Sequence, residues 1–414
     1  MLGLPARVET LPGDPLTVGT ETSTLAQRYL RVRDRSLRLC EPLAIEDYGV
    51  QPMPDASPPK WHLAHTTWFF ETFLLKPRVE GYRPFRDEFE YLYNSYYNGV
   101  GRQFPRPQRG NLSRPTVDEV REYRAHVDRA MESLLEAPDA AVEARTILGL
   151  HHEQQHQELL LTDLKYNFGH NPLYPVYPDG PVAPAARKRE ACSVEFDGGV
   201  LEIGATPDTG FVFDNETPRH RVFLGSYALA DRLVTNGEYL AFMQDDGYSR
   251  PELWLADGWS LLHSGAGWAA PLYWLRMENG WYEYHLTGLA PLDPDRPVIH
   301  VSYYEADAFS RWAGARLPTE QEWEAAVESP SADRLDQRTG AAWQWTSSAY
   351  GSYPGYRPLP GALGEYNGKF MSNQMVLRGG SCATPDGHVR PSYRNFFYPP
   401  DRWQFSGIRL AHDR

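Results

Sequence analysis

The chain has 414 residues, a formal net charge of −13 and three cysteines. Its length exceeds that of one ordinary hydrophobic core, so we expect two domains. The negative charge argues against binding to nucleic acid or to anionic membrane surfaces, and no apolar run is long enough to cross a bilayer. The cysteines are too scattered for a disulfide framework and fit a reducing compartment, so a soluble cytoplasmic protein is predicted.

In chain order, the sequence predicts a weakly ordered tail and then a run of amphipathic helices. The tail covers residues 1–22, and apolar residues recur at helical spacing over 24–40, from 57 through Phe73, over 116–135 and over 140–168. Ser57-Pro58-Pro59 has the N-cap and early-proline signature of a helix start. Four such helices form a bundle, and the core of a bundle is where facing side chains build metal sites.

Histidines fall on the second and fourth predicted helices. His152 and His156 are four residues apart and therefore share one helix face, while His62 and His65 lie on the other helix. Two imidazoles from one helix and a third from a facing helix can hold one iron, copper, nickel or zinc ion. Three histidine ligands would leave positions open for substrates, which favours chemistry over a structural role. The alternative is an ordinary core or surface pair without a metal.

Between the second and third helices, residues 91–98 are rich in tyrosine and lead into Arg102, Arg106 and Arg109. This segment is predicted to be a long loop, and long loops in compact domains are often functional. The functional interpretation is a phenol proton donor beside guanidinium groups that bind an anion. The alternative is that the tyrosines pack in the core and the arginines form surface ion pairs.

The second half of the chain differs from the first in its residue pattern and composition. Residues 171–195 begin with a stretch rich in Pro, Gly and Ala and are interpreted as a linker. Short β-type runs follow, such as 194–196 and 200–203, separated by Gly, Pro, Asp and Asn. We therefore expect an α+β protein with a helical bundle over 23–170 and a second domain over 196–414.

Motifs in both halves resemble known families. His-Leu-Ala-His at 62–65, followed by the His-Glu-Gln-Gln-His helix, resembles the DinB-like four-helix bundle. Motifs of the second half resemble the formylglycine-generating-enzyme (sulfatase-modifying factor) fold, a C-type-lectin-like arrangement; they lie at 213–220, 234–239, 316–324 and 377–381. A DinB-like bundle followed by a formylglycine-generating-enzyme-like domain resembles the ergothioneine-biosynthesis sulfoxide synthases, the EgtB family. This resemblance covers roughly residues 23–414.

This resemblance implies a non-haem iron(II) enzyme. With O2 it would join the thiol of cysteine to C2 of the imidazole of hercynine (trimethylhistidine) and yield hercynylcysteine sulfoxide. The family's iron ligands fall on His65, His152 and His156, with His62 as the neighbouring competitor. Gln155 matches a family residue near the hercynine.

The resemblance also implies a set of substrate-binding residues. Asn395 lies in the stretch that matches the hercynine-binding loop and would hydrogen-bond the substrate carboxylate. Phe396 and Phe397 would face the quaternary ammonium, an attraction of roughly 0.5–2 kcal/mol per aromatic face, unless they serve only core packing. Arg106 and Arg109 match family arginines and would hold the carboxylate of cysteine.

Two departures from the family pattern refine these expectations. Tyr96 and Tyr97 fit members that carry a tyrosine pair on the bundle loop, rather than a catalytic tyrosine in the second domain, so either phenol is predicted to donate a proton. Phe397 and Asp401 stand where members that use γ-glutamylcysteine carry an acidic residue and an arginine, which favours cysteine itself.

Other functions remain open from the sequence. γ-Glutamylcysteine is the alternative thiol donor, and selenoneine-type or ovothiol-type synthesis are the nearest alternative reactions. A metal-dependent thiol transferase or hydrolase, and a binding module without metal, are more distant. Formylglycine generation is disfavoured because Cys192 and Cys382 lack the close spacing of that family's cysteine pair.

Overall fold

The computed structural model describes residues 23–186, 190–206, 208, 210–265 and 267–414, and the tail predicted over 1–22 lies outside them. Helices dominate the first 170 residues. They are α1 (Leu25–Cys40), α2 (Pro59–Phe70), α3 (Lys76–Arg78), α4 (Glu88–Tyr93), α5 (Val117–Leu134) and α6 (Ala140–Gly169). The four helices predicted from periodicity are α1, α2, α5 and α6. Among the described helices, none combines the length and apolarity needed to cross a membrane.

Local chemistry accounts for most helix starts in this region. Thr24 and Thr116 each cap a helix by accepting from the backbone N–H three residues on, and the residue there returns the bond. Ser57 was predicted to do the same for α2, and this is wrong. Its backbone N–H donates to Asp163, its hydroxyl accepts from Arg109, and α2 starts without a side-chain cap.

The segment predicted as a long loop is partly helical. Tyr91 and Tyr93 belong to α4, and Arg106 and Arg109 lie in a 3-10 turn, Arg106–Asn111. The prediction of a continuous loop is therefore wrong at both ends. The stretch between these elements carries Tyr96, whose φ of 67° is in the left-handed region.

Every residue of α2 is buried, because α1, α5 and α6 surround it. Its histidines therefore lie inside the bundle and not on its surface. The buried carboxylate of Glu153 on α6 ties the bundle together, accepting from Arg33, Arg124 and Ser36 at 2.6–2.9 Å. This network fixes the rotation of α6 beside α2.

The second half contains small sheets and short helices. Its helices are α7 (Asn236–Gln244), α8 (Ala256–His263), α9 (Tyr303–Trp312) and α10 (Glu320–Glu328). Its strands are β1 (Ser193–Phe196), β2 (Gly199–Ile203), β3 (His220–Leu224), β4 (Tyr227–Ala230), β5 (Trp274–Met277), β6 (Gly280–His285), β7 (Gly288–Pro291), β8 (Trp343–Ala349), β9 (Met375–Arg378), β10 (Asn395–Phe397), β11 (Ser406–Gly407) and β12 (Ala411–Asp413). The predicted runs at 194–196 and 200–203 lie within β1 and β2.

The four-stranded sheet has the order β10-β9-β8-β11. Strand β10 pairs antiparallel with β9, so that Asn395 is opposite Leu377 and Phe397 is opposite Met375. This pairing positions the segment predicted to bind hercynine at the edge of the sheet. The domain limits at 170 and 196 stay predictions.

Helix α6 packs against both halves of the molecule. Leu161, Leu164 and Phe168, near its C-terminus, share a core with Tyr273 and Tyr284 of the second half. One turn closer to the histidines, the buried carboxylate of Glu158 accepts hydrogen bonds from the second half. The donors are Trp343 Nε1 at 2.7 Å, Ser381 Oγ at 2.5 Å and Thr384 Oγ1 at 2.7 Å.

Candidate metal centre and its cavity

Three histidines converge between α2 and α6. One ring nitrogen each from His65, His152 and His156 lies within 4.8 Å of the others. The four-residue spacing puts His152 and His156 on the face of α6 that meets α2. The ring of His65 is stacked between Trp61, at 4.5 Å, and Trp68, at 5.5 Å, which fixes its plane.

Hydrogen bonds determine which nitrogen each ring can offer to a metal. His65 Nδ1 lies 2.6 Å from the carbonyl oxygen of Tyr93, so this nitrogen donates and Nε2 keeps a free lone pair. His156 Nδ1 lies 2.9 Å from His62 Nδ1, which likewise leaves Nε2. Both ring nitrogens of His152 are buried and have no hydrogen-bond partner in the part of the chain that the structure describes. A buried imidazole without a partner is costly, and a metal ion would relieve this cost.

The three rings are held in the neutral form that binds metals. Burial, together with His152, lowers the pKa of His65 and of His156 well below the ordinary value. Burial lowers the pKa of His152 to about 4. At neutral pH each ring therefore presents a lone pair instead of a second N–H group. The residues thus fit a metal ion.

His62, the competitor predicted for the third position, has a different environment. Its Nδ1 faces His156 Nδ1, and its Nε2 lies 3.0 Å from Asp163 Oδ2. Both of its ring nitrogens are therefore engaged within the protein. His62 sits behind the converging nitrogens and supports one of them.

The three histidines open into a cavity of about 280 Å³ between the two halves of the molecule. The cavity is large enough for small molecules of the size of amino acids. All the substrate-binding and proton-donor residues predicted from the sequence line it: Tyr96, Tyr97, Arg106, Arg109, Gln155, Asn395, Phe396 and Phe397. The fold thus brings together residues separated by up to three hundred positions.

One side of the cavity is cationic. Arg109 is buried over the ring of Trp61, 3.4 Å from its centroid, and donates to the hydroxyls of Ser57 and Ser95 at 2.8 and 2.9 Å. Burial lowers the pKa of Arg109 to about 9, so the guanidinium stays charged at neutral pH. Arg106 donates to the hydroxyl of Tyr96 at 2.7 Å. A buried cation held by neutral hydroxyls is suited to an incoming carboxylate.

Another part of the lining is aromatic. The ring of Phe396 stacks on Tyr350 at 4.1 Å and lies 5.9 Å from that of Phe370. Phe397 meets the edge of Trp403 at 5.9 Å. Both phenylalanines line the cavity, so they form part of its wall in addition to packing against neighbouring aromatic rings.

Phenols also line the cavity. Tyr97 is buried, with its ring 5.6 Å from that of Trp68, and burial raises its pKa well above the ordinary value. Sequence reasoning missed a third phenol, Tyr366, whose ring lies 6.1 Å from that of His152 and whose pKa burial also raises. Tyr366 lies in an irregular stretch of 3-10 turns, so no periodicity pointed to it.

Comparisons with known proteins cover nearly the whole chain. Residues 28–160 match the DinB superfamily, and residues 179–334 match the sulfatase-modifying factor enzyme 1-like domain. The chain is 32% identical to hercynine oxygenase from Mycolicibacterium smegmatis, over 94% of its own length and 99% of that protein. Identity to hercynine oxygenase from Mycobacterium tuberculosis is 31%, over 95% and 100%. Formylglycine-generating enzyme from Streptomyces coelicolor is 34% identical over a shorter stretch, 36% of this chain and 52% of that protein.

Fold and site together define an oxidoreductase built from a DinB-like helical bundle and a sulfatase-modifying-factor-like α+β domain. Similarity to hercynine oxygenases extends through both parts and is not confined to either one. The chain belongs to the hercynine oxygenase (EgtB) family of ergothioneine biosynthesis. The family and the fold class predicted from the motifs are confirmed.

Proposed function

We propose that this enzyme forms the C–S bond between C2 of the hercynine imidazole and the sulfur of cysteine, using O2 and an iron(II) ion, to give hercynylcysteine sulfoxide. The observation that carries the proposal is the group of three neutral histidines inside a cavity with a cationic and an aromatic part, one of the histidines having no hydrogen-bond partner among the described residues. His65, His152 and His156 would hold the iron. When bound, iron(II) would supply the activation of O2.

The aromatic side suits hercynine. Phe396 and Phe397 line the cavity, and aromatic rings attract a quaternary ammonium, which cannot form N–H hydrogen bonds. Asn395 Oδ1 accepts from the N–H of Phe396 at 2.9 Å, which leaves the Nδ2 group of Asn395 to donate to a carboxylate. These contacts favour a trimethylated amino acid over one with a free ammonium.

The cationic side suits the carboxylate of cysteine, held by Arg106 and Arg109. Asp401 also lines the cavity, and burial raises its pKa to about 7, with Asp55 nearby. The additional carboxylate of γ-glutamylcysteine would meet these acidic groups instead of the arginine expected in members that use that donor. We therefore assign free cysteine as the donor.

The reaction requires proton transfer that the tyrosines can supply. Bond formation releases the C2 hydrogen of the imidazole and the thiol hydrogen, and O2 is reduced to one sulfoxide oxygen and one water. Tyr96 and Tyr97 are the candidate donors, and burial raises the pKa of Tyr97 above its ordinary value, so this phenol is protonated at neutral pH. Proton delivery would favour C–S bond formation over oxidation of the thiol alone.

The experiment is anaerobic loading with iron(II), then addition of hercynine, cysteine and O2, with products identified by mass spectrometry. γ-Glutamylcysteine and a selenium donor run in parallel. We expect hercynylcysteine sulfoxide from the wild type and none from His152→Ala, while His170→Gln, an exposed histidine at the end of α6, retains activity. If only γ-glutamylcysteine gives product, the assignment of cysteine as the donor is wrong. If no donor gives an O2-dependent product, the proposed reaction is wrong.

A further inference from the structure

A hydrogen-bonded series of side chains runs from the cavity into the contact between α6 and the second half. Gln155 Nε2 donates to the hydroxyl of Tyr393 at 2.7 Å. That hydroxyl lies 3.2 Å from His388 Nε2, and His388 Nδ1 lies 3.1 Å from His151 Nδ1. Gln155 and Tyr393 line the cavity. The reaction proposed above assigns no role to Tyr393, His388 or His151.

The amide of Gln155 is only half satisfied. Its Nε2 group is used by Tyr393, whereas its Oε1 atom is buried and has no hydrogen-bond partner among the residues described. Leaving a buried carbonyl oxygen unpaired is costly, so such an atom in a residue of a cavity wall is suited to a ligand that donates. Gln155 lines the cavity together with the three histidines, so a ligand bound there could supply the missing donor.

The direction of this amide depends on a single hydrogen atom. A tyrosine hydroxyl that donates to His388 Nε2 leaves its oxygen free to accept from Gln155 Nε2. If His388 Nε2 carried the ring hydrogen instead, the tyrosine would donate to Gln155, and the amide would turn its Nε2 group toward the cavity. The hydrogen between the two Nδ1 atoms therefore matters: placed on His388 and donated to His151, it keeps His388 Nε2 an acceptor.

The rings of the series are held firmly in place. His151 stacks on Phe211 at 4.1 Å with nearly parallel planes. Tyr393 packs against Trp343 at 5.4 Å and Phe213 at 5.7 Å. Burial, with His151 and Arg390, lowers the pKa of His388 well below its ordinary value, so the ring carries one hydrogen.

We propose that Tyr393 and His388 are positioning residues that hold Gln155 with its carbonyl oxygen toward the ligand, so that this wall selects the ring N–H of hercynine. The proposal rests on the function proposed above. Hercynine has one N–H group, in its imidazole, because methyl groups replace the ammonium hydrogens and the carboxylate has none. A hydrogen-bond acceptor on this wall can therefore bind the imidazole of hercynine but neither its trimethylammonium nor its carboxylate.

The test measures ligand binding without turnover. Calorimetry on the iron(II)-loaded enzyme without O2 compares hercynine with its two thiazole isosteres, in which sulfur replaces one or the other ring nitrogen. Sulfur at the N–H position removes the hydrogen-bond donor and, unlike N-methylation, does not add the bulk of a methyl group. We expect the wild type to prefer hercynine to the isostere that lacks the donor by on the order of 10- to 100-fold, the effect of one buried unpaired acceptor.

Two variants separate positioning from packing. Tyr393→Phe keeps the ring and removes the hydroxyl, and His388→Leu removes the acceptor for that hydroxyl. In both, the amide of Gln155 is free to turn, so the preference should fall to about threefold or less while the bound iron stays at the wild-type level. Tyr239→Phe is the matched control, because it removes a buried tyrosine hydroxyl, bonded to Tyr248, away from the cavity. It should keep the wild-type preference.

The outcomes distinguish the two proposals. A wild type that does not bind hercynine overturns the proposed function. A wild type that binds hercynine and the isosteres equally overturns the acceptor role of Gln155. A wild type that discriminates, together with Tyr393→Phe and His388→Leu variants that discriminate equally well, overturns the positioning role.

Discussion

His62 Nδ1 lies 2.9 Å from His156 Nδ1, so a histidine outside the converging group holds one inside it. The other nitrogen of His62, Nε2, donates to Asp163 Oδ2 at 3.0 Å, because a carboxylate can only accept. His62 Nδ1 must then accept, and His156 Nδ1 must donate. This order leaves His156 Nε2 with its lone pair toward the other two histidines.

We expect Asp163→Asn to weaken iron(II) binding by about 10- to 100-fold, the usual cost of losing a partner that orients a metal-binding histidine. The new side-chain amide can turn its NH2 group toward His62 Nε2. His62 Nδ1 would then donate to His156 Nδ1, and His156 Nε2 would lose its free lone pair. Competition between the metal-free protein and a chelator measures the affinity. His170→Gln serves as the control, and affinity unchanged in Asp163→Asn would refute this orienting role.

Substitution of the cavity tyrosines should change the product and not simply abolish the reaction. If the proposed proton donor is removed, we expect O2 to oxidise the thiol alone, so Tyr96→Phe or Tyr97→Phe should shift product from hercynylcysteine sulfoxide toward cysteine sulfinic acid. Quantitative mass spectrometry of both products measures the ratio. Tyr366→Phe belongs in the same series because its ring is near His152. Full sulfoxide output from both loop variants would exclude them as donors.

Donor choice should respond to two positions on the cavity wall. The double variant Phe397→Asp with Asp401→Arg supplies the charges that a glutamyl group needs, and removes an acidic group that repels its carboxylate. We expect kcat/KM to shift toward γ-glutamylcysteine by at least about tenfold relative to cysteine, which corresponds to one good charge-assisted contact. Asp257→Asn, on the exposed face of α8, changes the net charge by the same single positive unit and should leave the ratio unchanged.

Stability should depend on a buried carboxylate next to the segment that we propose to bind hercynine. Glu320 Oε2 accepts from Arg378 and Arg394 at 2.8 Å, and Arg394 directly precedes Asn395. Burial raises the pKa of Glu320, but the two arginines outweigh burial and lower it below the ordinary value. Glu320→Gln should lose roughly 3–5 kcal/mol of unfolding free energy. It removes the carboxylate partner of the buried Arg394 and one of the two carboxylates that pair with the buried Arg378, the other being Glu324. Glu328→Gln, exposed on the same helix, should change the unfolding free energy by less than about 0.5 kcal/mol.

The same carboxylate predicts a pH dependence. Its folded-state pKa is lowered, so its contribution to stability is complete above the unfolded-state pKa of about 4.3 and is lost as the pH falls toward the folded-state value. Urea unfolding at pH 7 and at pH 4 and below should show the wild type losing its advantage over Glu320→Gln. A gap that stays constant across this range would contradict the assignment.

The helices and the histidine pairing were predictable because they depend on local periodicity. The four-residue spacing of His152 and His156 forces them onto one face wherever α6 packs. Ser57 was misread for the opposite reason. A serine before two prolines has the local signature of a cap, but a distant arginine, Arg109, uses its hydroxyl.

The parts of the site that escaped prediction come from irregular segments brought together by tertiary packing. Tyr366, His388 and Tyr393 lie outside helices and strands, so their sequence carries no period that fixes a direction. Asn395 and its two neighbours were found only because their motif resembles a family. The contact between Tyr393 and Gln155 spans more than two hundred residues and requires the folded assembly of both halves.

Glu158 lies two residues beyond His156, and its buried carboxylate takes all three of its donors from the second half. Helix α6, which supplies two of the three converging histidines, is therefore held by contacts with both halves of the molecule and not by the bundle alone. A fragment ending at Gly169 would expose this carboxylate and the apolar end of α6. We expect that the two halves cannot be exchanged between relatives as independent modules, and that changes in one are compatible only with particular versions of the other.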